Sequence, residues 1–175
     1  MRNEKLSHTW KNTDFLIIIY QKKHTKSNMN TIDLNQNLSP HFTLEEFVRS
    51  GTAVRHNIDN TPKEEHVERL RELCTNVLEP LRRRFGVIRI TSGYRCEELN
   101  RKVGGADGSQ HLRGEAADIN VSGKDGGMKM YEYIRDNLPF DQLLFENKAK
   151  SGIYWLHVSY RSDGRNRHDC GIIKM

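Results

Sequence analysis

The chain is short of cysteine and of long apolar runs, and each shortage removes a class of protein. Three cysteines in 175 residues, Cys74, Cys96 and Cys170, are an odd number with no C-x-x-C spacing. That argues against a disulfide framework and against an all-cysteine zinc site. The apolar run Phe15–Tyr20 covers six residues, whereas a membrane span needs ~18 and a signal h-region ~7–15 with a small-residue cleavage site beyond it. An integral membrane protein is excluded and no signal peptide is readable. There is no internal repeat and no low-complexity tract.

Charge of one sign is also scarce outside the first residues. The chain has 28 Lys/Arg against 23 Asp/Glu, a surplus that by itself suggests nucleic acid. Residues 1–28 hold six basic and two acidic residues, and residues 29–175 hold 22 and 21. A nucleic-acid-binding domain concentrates positive charge on its own folded face, so no nucleic-acid partner is expected. Arg82, Arg83 and Arg84 form the one local cluster, read as a favourable interaction with a helix C-terminus. With 35% apolar and 29% charged residues and a mean hydropathy of −0.78, the chain is polar yet able to build one core. Residues 1–38 read as a poorly ordered leader, with 15–20 a candidate docked strand and Met29 a candidate natural start. Residues 39–175 read as one domain, expected to act as a monomer.

Local signals begin at Phe42. Thr43 and Glu46 have capping-box spacing, and Phe42 and Phe47 occupy staple positions, predicting a helix at about 43–49 that stops at Ser50-Gly51. A second helix is predicted from Thr61 as cap, with Pro62 in its first turn and Glu64 completing a second box. Its stripe is Val67, Leu70, Leu73, Val77, Leu78 and Leu81, and Cys74 on that stripe reads as a small buried hydrophobe. Pro80 is expected to kink the last turn. Residues 87–91 and 116–121 read as strands, 96–103 and 128–137 as helices. Residues 141–146 and 153–160 read as paired strands joined by a loop at 147–152. Helices first and antiparallel strands later point to an α+β fold, a small antiparallel sheet with helices packed on it.

Of eight histidines, His8 and His24 lie in the leader. His41, His56, His66 and His168 read as solvated. His111 lies among small residues, seven positions before Asp118 at the mouth of a strand. His157 lies on a strand whose alternation sets Leu156 and Val158 on one face and Trp155, His157 and Ser159 on the other. Two imidazoles and a carboxylate can hold a metal, with Gly114 letting the chain fold back between His111 and Asp118. A hydrogen-bonded, metal-free His/Asp pair is the other reading of the same residues.

The segment Ser109–Asp118 has the pattern S-x-H-x-x-G-x-A-x-D. It resembles the signature of the zinc D-alanyl-D-alanine carboxypeptidase family, which includes phage L-alanyl-D-glutamate endolysins and shares its fold with the Hedgehog signalling domain. Trp155-Leu156-His157 resembles the second motif of that family, and Ser92-Gly93-Tyr94-Arg95 its S-G-Y-R turn. The resemblance covers about residues 38–160. It implies Zn2+ held by His111, Asp118 and His157, a fourth position open to water, and hydrolysis of amide bonds in peptidoglycan peptides. The alternative function is a non-catalytic wall-binding module that keeps the fold and metal.

The resemblance also implies that Arg95 grips a substrate carboxylate or stabilises the developing oxyanion; pairing with Glu97 is the plainer reading. Trp155 is a candidate groove residue. The relatives carry an acid three positions before the second histidine, where this chain has Tyr154, a poor base at neutral pH. Glu146 is the substitute, and Asp141 ranks lower because alternation turns it to the opposite face. If Glu146 pairs with Ile153 and Gln142 with His157, Glu146 shares the face of His157 but lies four steps away, about 13 Å. A bulge would then be needed to bring it nearer.

Overall fold

The computed structural model describes residues 32–148 and 152–174. The candidate strand at 15–20 and Met29 lie outside them. Ile32–Met175 form one compact unit, whose first strand, β1 (Asn37–Ser39), pairs with β2 (Phe42–Thr43). β1 and the buried Leu38 lie within the stretch read from sequence as leader.

Helix α1 (Leu44–Val48) starts as its sequence predicts. Glu46 reaches back to accept from the Thr43 amide and hydroxyl at 3.0 and 3.1 Å, and the Phe42 and Phe47 rings pack edge to face. Helix α1 ends at Val48 with Arg49 extended as its C-cap, ahead of Ser50-Gly51, which start a helix that the sequence did not announce, α2 (Gly51–His56). The Ser50 hydroxyl caps it through the Ala53 amide. Six residues without an apolar stripe leave no periodic signal.

The next helix, α3 (Glu64–Leu73), is capped by Lys63 rather than Thr61. Asp59 captures the Thr61 amide in a local turn, and a residue before proline favours extended backbone. His66 replaces Glu64 as the residue reaching back to the cap. A π turn, Cys74–Leu78, joins α3 to α4 (Glu79–Phe85). The expected irregularity thus comes just before Pro80, which has no N–H and whose ring would meet the carbonyl four residues back; the wider turn relieves both. Val67, Leu70, Leu73, Val77, Leu78 and Leu81 are all fully buried, each contributing about 1.5–3 kcal/mol relative to exposure.

The main sheet has the order β3-β4-β6-β5-β7, from β3 (Arg89–Ser92), β4 (Ala116–Val121), β5 (Gln142–Lys148), β6 (Ile153–Ser159) and β7 (Asp169–Lys174). All pairs are antiparallel except β5 with β7, which is parallel. The fold is α+β, and this pair makes the sheet mixed rather than purely antiparallel. Between β3 and β4 lie α5 (Glu97–Lys102) and a 3₁₀ turn at Gln110–Arg113. Helix α6 (Gly123–Asn137) packs on β4, β5 and β6. It starts five residues earlier than expected. Its glycines are poor helix formers, but a Cβ at Gly127 would meet the Phe145 ring at 2.5 Å, so close packing on the sheet outweighs propensity.

One face of the sheet is core: Ala117, Ile119, Leu143, Phe145, Leu156 and Val158 are buried there. The opposite face carries Asp118, Glu146, Trp155 and His157, which line a cleft of about 780 Å³. Period-two alternation sorts the two sets.

Candidate metal centre

His111 is held from two sides. The Ser92–Arg95 turn lies against the 3₁₀ turn, with the Arg95 amide donating to the His111 carbonyl at 3.1 Å. In return His111 Nδ1 bonds the Gly93 carbonyl at 2.6 Å. A carbonyl can only accept, so Nδ1 carries the hydrogen and Nε2 keeps its lone pair for the cleft. Burial lowers the His111 pKa despite the opposing pull of Asp118, which keeps that lone pair available.

Gly114 closes the turn at φ 72°, and a Cβ there would collide with the His66 carbonyl. Both the left-handed backbone and the close approach require glycine. His66 itself is not freely solvated. It stacks on Tyr94 at 5.1 Å, and burial lowers its pKa.

Asp118 stands opposite His157 in the β4–β6 ladder. Its Oδ1 is 3.0 Å from His157 Nδ1 and 3.3 Å from His111 Nε2, and the two nitrogens are 3.3 Å apart. These are the only three potential metal-ligating residues that converge among the described residues. Burial alone would raise the Asp118 pKa, but the two histidines hold it well below the usual carboxylate range. Ligands at ~2.0–2.1 Å around a tetrahedral zinc lie ~3.3–3.4 Å from one another. The observed separations meet that spacing, and two imidazole nitrogens with one carboxylate oxygen are a donor set suited to zinc. The residues fit the ion.

The sequence profile of peptidase M15 matches residues 40–159. The chain belongs to the peptidase M15 family. It is thereby a metallopeptidase from a zinc-dependent family, and the matched span includes Arg95, His111, Asp118, Glu146, Trp155 and His157. A comparison with curated protein sequences finds no match.

Arg95 lies at the rim of this M15 cleft. Its Nη1 bonds Asn100 Oδ1 at 3.3 Å, Nη2 is 4.0 Å from Asp118 Oδ2, and Nε is buried without a partner. Glu97 pairs with Arg101 instead, so the surface pair weighed from sequence does not form. Burial lowers the Arg95 pKa, offset in part by Asp118 and Glu146.

Glu146 occupies a different register from the one expected. It pairs with Trp155, and Leu144 with His157. The ladder is displaced by two residues, which preserves every face and makes Glu146 the diagonal cross-strand neighbour of His157, at a backbone separation of ~7–8 Å. No bulge is needed. Burial raises its pKa, followed by the nearby Asp118 charge, with His157 and a Trp155 hydrogen bond opposing. Tyr154 is turned away and stacks on Phe145 at 5.6 Å.

Several residues that brace the cleft were missed. Asn60 is buried and ties the turn before Arg95 to α1: its amide donates to the Val48 and Tyr94 carbonyls, and its oxygen accepts from the Cys96 amide. Asp141, read from sequence as turned to the opposite face, precedes β5 and lines the same cleft; it is 1% exposed and holds Arg167 from β7's approach together with Gln110, the neighbour of His111. Lone polar residues in loops give no sequence signal for such roles; only burial makes them stand out. Ser159, read as a member of the site face, is buried and its hydroxyl accepts from the Gln142 amide.

Proposed function

We propose that this chain is a zinc peptidase hydrolysing an amide bond of peptidoglycan stem peptides, of the D-Ala–D-Ala carboxypeptidase or L-Ala–D-Glu endopeptidase type. The observation that carries the reading is the convergence of His111 Nε2, Asp118 Oδ1 and His157 Nδ1 at zinc-ligand spacing, with one acid, Glu146, on the same face. Zinc bound there supplies Lewis acidity, polarising a carbonyl and lowering the pKa of water toward ~7.

The protein's own groups do the rest. His111, fixed through Gly93, and Asp118 and His157, paired across the β4–β6 ladder, would hold the ion. Arg95 presents a planar guanidinium to a substrate carboxylate and orients the scissile carbonyl. Glu146, its pKa raised by burial, takes the proton from the attacking water and returns it to the leaving nitrogen as the C–O bond forms and the C–N bond breaks. Trp155 steadies Glu146 and lines the cleft.

The test is incubation of purified muropeptides with the zinc-loaded protein, read by mass spectrometry. Cleaved stem peptides identify the bond. Intact peptides with zinc bound would replace this reading with the non-catalytic wall-binding module.

A further inference from the structure

A second concavity opens beside the metal centre. It measures about 850 Å³ and meets the catalytic cleft at Arg95, Val103 and Asp118. One wall is β3 and the turn after it, and the other is the end of α1 with α2. β3 is a sheet edge, with β4 as its only strand partner among the described residues.

Three arginines face this trough, Arg49, Arg55 and Arg89, all exposed. Among the described residues none of them lies within ion-pair distance of a carboxylate. Arg55 donates to the Thr52 hydroxyl at 3.1 Å. Two acids line the same walls. Glu46 is engaged by the Thr43 amide and hydroxyl, and Asp118 belongs to the metal cluster. Residues 29–175 are nearly neutral, with 22 basic and 21 acidic side chains, so the positive charge of this concavity is local and not a share of a net-basic body.

We propose that this trough is a subsite for an acidic peptide segment of the substrate, lying extended along β3 with its carboxylates on Arg49 and Arg89 and its scissile end directed to the cluster. The proposal rests on the peptidase reading above. The edge of β3 selects the occupant: a strand edge offers N–H and C=O groups to another peptide backbone. A phosphodiester polymer would satisfy the arginines but not the edge. Guanidinium forks supply the preference for carboxylates over neutral amides.

The test uses the full zinc-loaded chain and two peptides. One is L-alanyl-γ-D-glutamyl-L-lysyl-D-alanyl-D-alanine, and the other is the same peptide with the D-glutamate α-carboxylate amidated. The readout is the ratio of kcat/KM for acid over amide. At about 25 mM salt, where exposed charges are weakly screened, the wild type should favour the acid about tenfold. The Arg49→Gln/Arg89→Gln double variant, with zinc content and thermal melting as controls of its fold, should bring the ratio close to one. A wild type without preference, or a double variant that keeps it, overturns the subsite. Cleavage of neither peptide defeats the peptidase reading instead, and the same ratio is then read as binding by fluorescence anisotropy of the labelled pair. Tighter, Arg49- and Arg89-dependent binding of a poly(glycerol phosphate) oligomer than of the acidic peptide overturns the choice of occupant.

Discussion

Glu146 stands opposite Trp155 in the β5–β6 ladder, one diagonal step from His157 and on the same sheet face. A register two residues away would have left the same side chain about 13 Å off, facing the cleft but out of reach of its chemistry. Glu146→Gln therefore preserves the fold and the zinc content while lowering kcat by ~10²-fold or more. Steady-state kinetics beside metal analysis read both. Near-normal kcat would remove Glu146 as the proton carrier.

His111→Ala, Asp118→Ala and His157→Ala should each abolish stoichiometric zinc, because three protein ligands leave no redundancy in a catalytic site. Metal analysis at equal protein concentration checks this. Wild-type-like zinc in any one variant strikes that residue from the set.

Arg95→Lys keeps the charge but loses the planar fork. The variant should bind zinc normally and lose about 2 kcal/mol of transition-state stabilisation, ~30-fold in kcat/KM. An unchanged kcat/KM would leave Arg95 with only its structural contacts to Asn100.

Asp141 connects the cleft floor to acid stability. Its burial would raise its pKa, but hydrogen bonds from the Arg167 side chain and amide and from Gln110 outweigh that and hold it below the ordinary value. A depressed folded-state pKa gives stability that is complete above the unfolded value of ~3.9 and disappears as pH falls through the folded value. Asp141→Asn should thus be less stable than the wild type by ~1–3 kcal/mol at neutral pH. The gap should narrow on acidification below about pH 4. Urea titrations across pH measure it, and a gap independent of pH would mean that the Asp141 charge contributes nothing.

Much of this molecule could be read without coordinates. The stripe from Val67 to Leu81, the Thr43–Glu46 box and the alternation around His157 are local patterns, set by helical and strand periodicity within a few residues. The turn from Ser109 to Asp118 could be recognised because a left-handed glycine, a histidine and a strand-entry aspartate occur at short, definite spacing. Gly114 shows why: the His66 carbonyl leaves no room for a Cβ.

What the sequence determined by itself was thus the chemistry of the donors and the face on which each one lies. Only the tertiary structure decided distances. Alternation is unchanged by a two-residue slip, so the pattern that places Glu146 on the face of His157 says nothing about which neighbour stands across from it. The same holds for Asn60, Asp141 and Arg167, whose partners lie 12 to 36 residues away along the chain. It holds for β7 too, whose parallel place beside β5 follows from no local signal. Burial converts Asn60 and Asp141 from ordinary polar residues into braces, and burial belongs to the folded chain as a whole.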